Sequence, residues 1–240
     1  MDFVLVHGAC HDGGHFQAVA ELLRGQGHRV WCPTLKGNRP EDDRRAATLE
    51  DAIASLIEYF EENALTDVVL LGHSWGGMVI TAAADRLKPG TVRRLIYFSA
   101  FVPNPDESLL DMCPPHYQAL FRQMGEADGA VLFPWPVFRE AFVNDGTVEQ
   151  AKSLFDSLNP HPFHTMADPV RLSRAPAEMM VGKSFLYCTE DIGLPHSTPF
   201  HPRLSEKLGL YRLVTMPGSH STFLTNPKLL ASKIIEAGRD

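Results

Sequence analysis

The chain has 240 residues and carries 22 Lys plus Arg against 29 Asp plus Glu, a net charge of −7. That balance argues against nucleic acid or an anionic membrane as the main partner, because both require a basic face that displaces condensed counterions. At 44% hydrophobic, 9% aromatic and 21% charged residues, the composition is that of a folded globular chain, long enough to bury about 70–75% of its unfolded surface around one core.

Apolar runs are short. Val68-Val69-Leu70-Leu71 is among the longest, against the roughly 20 residues of a membrane span. The opening Met1-Asp2-Phe3-Val4-Leu5-Val6-His7 lacks the basic and apolar regions of a signal peptide, which predicts a cytoplasmic location. Cys10, Cys32, Cys113 and Cys188 are widely spaced, with no C-x-x-C pair, and read as free thiols.

In chain order, a β-branched strand over Phe3–His7 is followed by a helix through Val19, Leu22 and Leu23, then a strand over Arg29–Pro33. Residues 48 to 64 form an amphipathic helix, with Leu49, Ile53, Leu56, Ile57 and Phe60 on one face behind a Thr48-x-x-Asp51 capping box. A strand over Asp67–Gly72, a helix from Trp75 to about Leu87 and a strand over Val92–Ala100 come next. The alternation resumes at strand Lys183–Cys188, a helix over about Pro199–Leu208 and strand Tyr211–Met216. It ends in a helix opened by Asn226-Pro227, where Asn caps and Pro suits the first turn. Several strands are apolar on both faces, so the expectation is an α/β fold: a mostly parallel six-stranded sheet with helices on both faces.

Residues 103–176 break the pattern. They hold ten of the 18 prolines yet also carry Phe121, Phe133, Trp135, Phe138, Phe142, Phe155 and Phe163, too much apolar surface for a solvated linker. The stretch is not strand-forming and is expected to be a helical cap inserted between two sheet strands. Residues 1–102 and 177–240 then form the core. The cap aromatics are core by default, with Trp135 and Phe138 the pair expected to face substrate.

The sharpest local signal is Gly72-His73-Ser74-Trp75-Gly76-Gly77, a G-x-S-x-G pattern placed after an apolar strand and before a helix. The turn is so tight that side chains at Gly72 and Gly76 must vanish, while Ser74 is thrust up at a helix N-terminus that favours developing negative charge. A serine hydroxyl needs a base, and the base needs an orienting acid. His220, after the last strand, suits the base. Asp191, after strand Lys183–Cys188, suits the acid, with Glu190 and Asp106 as rivals. Acyl transfer also needs preorganised donors for the oxyanion. These are expected to be the backbone N–H groups of Trp75 and of Ala9, the latter in the small-residue loop His7-Gly8-Ala9-Cys10-His11-Asp12-Gly13-Gly14.

Together these residues resemble the α/β-hydrolase fold, and within it the group of plant methylesterases and plant hydroxynitrile lyases. The resemblance rests on Phe3-Val4-Leu5-Val6-His7-Gly8-Ala9-Cys10-His11, the elbow through Met78, Cys188-Thr189-Glu190-Asp191-Ile192-Gly193-Leu194-Pro195 and Gly218-Ser219-His220. It runs over the whole chain except the cap, and implies a sheet that begins at the third strand of the full fold. The lyases of this group carry Thr and Lys where this chain has Gly8 and Ser221, so the resemblance implies the esterase branch. Trp75 is bulkier than the aliphatic residue usual behind the plant nucleophile.

Weaker patterns carry less. His7, His11 and His15 are four apart, but Gly8, Gly13 and Gly14 exclude one helix presenting them to a metal. His161, His164, His196 and His201 read as exposed or substrate-lining, and Glu41-Asp42-Asp43-Arg44-Arg45 as a solvated charged turn. The sequence therefore predicts a serine hydrolase for a small or medium carboxylic ester, by the same route a carbamate or amide, acting without metal or cofactor. The apolar cap edge leaves a homodimer open. The alternatives are a carbon–carbon lyase or cofactor-free dioxygenase on the same fold, or a non-catalytic small-ligand-binding protein.

Overall fold

Strand registers decide where the loops of this protein meet. In the computed structural model, which describes residues 1–240, the chain begins with β1 (Asp2–Val6), a 3-10 turn over Gly13–Phe16, α1 (Gln17–Arg24), β2 (Arg29–Trp31), α2 (Leu49–Glu62), β3 (Val68–His73), α3 (Gly76–Arg86) and β4 (Val92–Phe98). It then leaves the sheet for α4 (Leu109–Met112), α5 (Pro115–Asp128), β5 (Ala130–Val131), α6 (Trp135–Val137), a π-helical turn over Phe138–Phe142, α7 (Val148–Asp156), β6 (His161–Pro162) and α8 (His164–Ala167). It returns through β7 (Gly182–Cys188), β8 (Arg212–Met216), α9 (Thr222–Thr225) and α10 (Pro227–Gly238).

The sheet runs β2-β1-β3-β4-β7-β8 with every neighbouring pair parallel. All six residues of β3 are buried, as expected of a central strand covered on both sides. α1 packs with α10, and α2 with α3, to supply the covering layers. The α2 capping box forms as the sequence predicts: Asp51 N–H donates to Thr48 Oγ1 at 3.2 Å and Thr48 N–H to Asp51 Oδ2 at 3.0 Å. Asn226 likewise caps α10 by accepting from Leu229 N–H at 3.2 Å.

Two expectations change. The helix over Pro199–Leu208 shrinks to a 3-10 turn at Ser205–Leu208, because Pro202 cannot donate a backbone bond and its ring crowds the turn before it. The stretch between β4 and β7, read as free of strands, contains a two-residue antiparallel ribbon, with Ala130 opposite Pro162 and Val131 opposite His161. The charged turn at 41–45 is solvated, with Glu41, Asp43 and Arg45 exposed and Asp42 and Arg44 half-buried. Asp42 Oδ2 accepts from Gly37 N–H at 2.6 Å, and Arg44 Nε donates to Pro160 O at 2.8 Å.

Because the sheet is parallel, the loops after β1, β3, β7 and β8 leave from the same edge. The segment between β4 and β7 lies across that edge: Cys10 Sγ donates to Val131 O at 3.4 Å and Ser221 N–H to Phe142 O at 3.0 Å.

Candidate active site

The turn from β3 to α3 carries Ser74 at φ +53°, a left-handed conformation that a non-glycine residue holds only under constraint from its surroundings. The constraint is visible. Ser74 N–H donates to Phe98 O at 3.2 Å, and Ser74 O accepts from Gly77 and Phe101 N–H, both at 3.1 Å. The flanking glycines are required by distance: a Cβ on Gly72 would sit 2.6 Å from Gly76 O, and one on Gly76 would sit 2.7 Å from His7 O.

The loops after β7 and β8 bring Asp191 and His220 together. His220 Nδ1–H donates to Asp191 Oδ2 at 2.8 Å, both side chains being buried, and Gly193 N–H donates to Asp191 Oδ1 at 2.8 Å. This bond sets the tautomer and leaves the lone pair on Nε2. That nitrogen is buried and has no partner in the protein; no hydrogen bond joins it to Ser74 Oγ here, a contact that in many enzymes tightens only when substrate binds. The rivals for the acid lie elsewhere. Glu190 is exposed, and Asp106 is exposed and ion-paired with Arg171.

His220 is held from three sides. His73 Nε2–H donates to His220 O at 3.0 Å with the two rings 4.6 Å apart, Phe200 stacks at 5.3 Å and Phe142 meets it edge-on at 5.2 Å. Burial pushes His73 well below the usual imidazole range, and the neighbouring His220 adds to that. A neutral His73 places no positive charge beside the His220 ring.

The two amides expected to hold an oxyanion flank Ser74. Neither Ala9 N–H nor Trp75 N–H donates to any protein acceptor, and both residues line the same cavity as Ser74. Cys10, beside Ala9, is at φ +65°. The loop is fixed by His11 Nδ1–H to Ala9 O at 2.7 Å and Asn159 N–H to Cys10 O at 2.8 Å. Trp75 is fully buried, stacked on His7 at 5.9 Å and edge-on to His161 at 4.5 Å. Its indole N–H donates to Thr165 O at 3.0 Å. No backbone N–H can take that carbonyl four residues on, because that position is Pro169.

A narrow, mostly apolar cavity lies above Ser74. Its aromatic walls are Tyr117 and Phe121 from α5, with Phe101, Phe133, Phe142 and Phe200, and no charged side chain lines it. Trp135 and Phe138, expected to face substrate, do not. Trp135 meets Phe155 edge-on at 5.3 Å, and Phe138 is buried against Phe142 and Phe155. Of the residues that do line it, Tyr117 and Phe121 carry the one signal readable beforehand, an i, i+4 aromatic pair on a helix. A larger groove beside Leu87, Met179 and Met180 contains none of the predicted site residues.

The early histidines are used one by one. His7 Nδ1–H donates to Gly8 O at 2.9 Å while Nε2 accepts from Leu35 N–H at 3.2 Å, and burial lowers its pKa to about 4. His15 sits in the 3-10 turn, bonded to Asp12 and Ser157. His161, fully buried, is bonded to Asn38 and Thr165, at 2.9 and 2.8 Å. Cys10, Cys32, Cys113 and Cys188 are free.

A sheet order of this kind, with a strained serine after the central strand and an Asp–His pair after the last two, defines the α/β-hydrolase fold. Residues 3–233 match the family model described as the alpha/beta hydrolase family, and the chain belongs to that family, on its methylesterase-like esterase branch. It is 31% identical to the carbendazim hydrolyzing esterase of Nocardioides sp. (strain SG-4G), covering 99% of each chain. Salicylic acid-binding protein 2 of Nicotiana tabacum is 27% identical, over 98% of this chain and 95% of that protein. A solved extracellular alpha/beta-hydrolase from a Paenibacillus species superposes with TM-score 0.95 at 33% identity, covering all of both chains. No helix is long and apolar enough to cross a membrane. The extracellular description of the Paenibacillus relative gives the cytoplasmic expectation no support.

Proposed function

We propose that this protein hydrolyses small or medium carboxylic esters through an acyl-enzyme formed on Ser74. The observation that carries the reading is the buried His220–Asp191 hydrogen bond of 2.8 Å beside a conformationally strained, cavity-lining serine. The esterase names of the relatives support it.

In this mechanism Ser74 Oγ attacks the ester carbonyl carbon as His220 Nε2 takes the hydroxyl proton. Asp191 holds the imidazole in the tautomer that presents that lone pair and stabilises the imidazolium. The carbonyl oxygen becomes an alkoxide facing the N–H groups of Ala9 and Trp75, donors fixed before the reaction starts and therefore free of reorganisation cost. The tetrahedral species collapses, the C–O bond to the alcohol breaks, and His220 returns the proton to the leaving oxygen. Water repeats the sequence on the acyl-enzyme: His220 takes its proton, its oxygen attacks the acyl carbon, and Ser74 Oγ leaves with the proton restored. A carbamate or amide would follow the same path. The excursion over 103–176 is assigned as the cap, closing the cavity from above and setting which acyl and alcohol groups enter.

The test is direct. Ser74→Ala is expected to abolish turnover of a chromogenic short-chain ester while leaving the circular dichroism spectrum and melting temperature unchanged. Activity retained by a folded variant would overturn the assignment.

A further inference from the structure

Only two tyrosines are buried, Tyr97 and Tyr117, and they differ in one respect. Tyr97 Oη shares a 2.8 Å hydrogen bond with Thr81 Oγ1. Tyr117 lines the cavity above Ser74, and no hydrogen bond joins its hydroxyl to any protein group. The Tyr117 hydroxyl is not enclosed like the unpartnered Nε2 of His220 and keeps accessible surface, so on the cavity wall it is a donor open to a bound molecule. Among the cavity's side chains the polar groups are few: the Ser74 hydroxyl, the Cys113 thiol and this phenol, set among apolar neighbours.

We infer that Tyr117 is a specificity-determining residue whose O–H donates to a neutral acceptor oxygen on the substrate, so that the preferred ester carries a carbonyl, ether or hydroxyl group away from the scissile carbonyl. The inference rests on the ester-hydrolase reading for the reaction and on geometry for the contact. Its ring is fixed, stacked on Phe121 at 5.5 Å and against His116 at 4.7 Å, on a helix begun by Pro115 at its first position. Burial, with Cys113 and Asp191 nearby, pushes the phenol up to about 12, so it remains a donor throughout the range in which a serine hydrolase works. The same Asp191 charge, and the absence of any cation in the lining, turn away an anionic acceptor such as a second carboxylate.

The probes are methyl hexanoate and its three isomeric keto analogues, with the ketone at carbon 3, 4 or 5. A net hydrogen bond of about 0.5–1.5 kcal/mol corresponds to a roughly 3–10-fold effect. Tyr117→Phe is expected to lower kcat/KM by that factor for at least one keto ester, with methyl hexanoate changing less than about twofold. Equal effects on all four esters overturn the inference. A binding arm separates it from the reading on which it rests: calorimetric affinities of the same esters for Ser74→Ala, with and without Tyr117→Phe, should differ by the same factor for the same keto ester. Identical affinities, or no binding of any keto ester, overturn the role of Tyr117. Failure of the unaltered enzyme to cleave any of the four counts against ester hydrolysis, and the calorimetry then still decides Tyr117.

Discussion

At residue scale, the proposed chemistry depends on which nitrogen of His220 carries its proton. The 2.8 Å bond from Nδ1–H to Asp191 leaves the lone pair on Nε2, the atom proposed as the base. Asp191→Asn keeps the volume but can present an amide N–H to Nδ1, which moves the ring proton to Nε2 and removes the lone pair facing Ser74. The expected outcome is a fall in kcat of roughly 10³–10⁴-fold with little change in KM, measured on any ester the enzyme cleaves. A loss below tenfold would mean that another group orients His220. Most of this constellation was legible from residue types: a serine between two glycines, and an acid and a histidine each after a late strand. Choosing Asp191 over Glu190 was not decidable by spacing alone, since adjacent residues point apart. The backbone turn exposes Glu190 and buries Asp191 against His220.

At the scale of elements, Trp75 joins two parts of the chain that the sequence presents as separate. Its backbone belongs to the elbow and its indole to α8, where it replaces the N–H that Pro169 lacks. Removing that donor with Trp75→Phe leaves Thr165 O buried without a partner, so a loss of about 1–3 kcal/mol is expected. On a chain of this size that is a fall in melting temperature of several degrees, visible by calorimetry. No change in melting temperature would show that the tie between elbow and excursion contributes nothing. The same tie explains what the sequence hid. Strand and helix periodicity fixes elements that pack on the sheet. The aromatics of 103–176 pack instead on one another and on loops, through partners such as Phe133 with Phe142 and Trp135 with Phe155. No local pattern distinguishes a cavity wall from a satellite core in such a region, and Trp135 and Phe138 were accordingly placed on the wrong side.

For the whole molecule, the cluster of buried neutral histidines sets an acid limit. His7 has its pKa lowered from 6.5 to about 4 by burial, while His11, His73 and His161 are lowered in the same direction. The unfolded chain therefore binds protons that the folded chain refuses. Stability is complete above about pH 6.5 and declines as pH falls from there toward 4, by an amount on the order of 3 kcal/mol from His7 alone. Urea midpoints across pH 4–8 should show that decline. His7→Gln, whose amide can serve both Gly8 O and Leu35 N–H, should flatten part of it, and a midpoint independent of pH over this range would refute the account. Across the whole chain the decisive feature is the convergence of three distant segments around the Ser74 hydroxyl proposed as nucleophile. Its most direct measurement is peptide mapping after an organophosphate ester: a single stoichiometric adduct on Ser74 is predicted, formed far more slowly in His220→Ala. An adduct on another residue, or equal labelling rates in the two proteins, would contradict it.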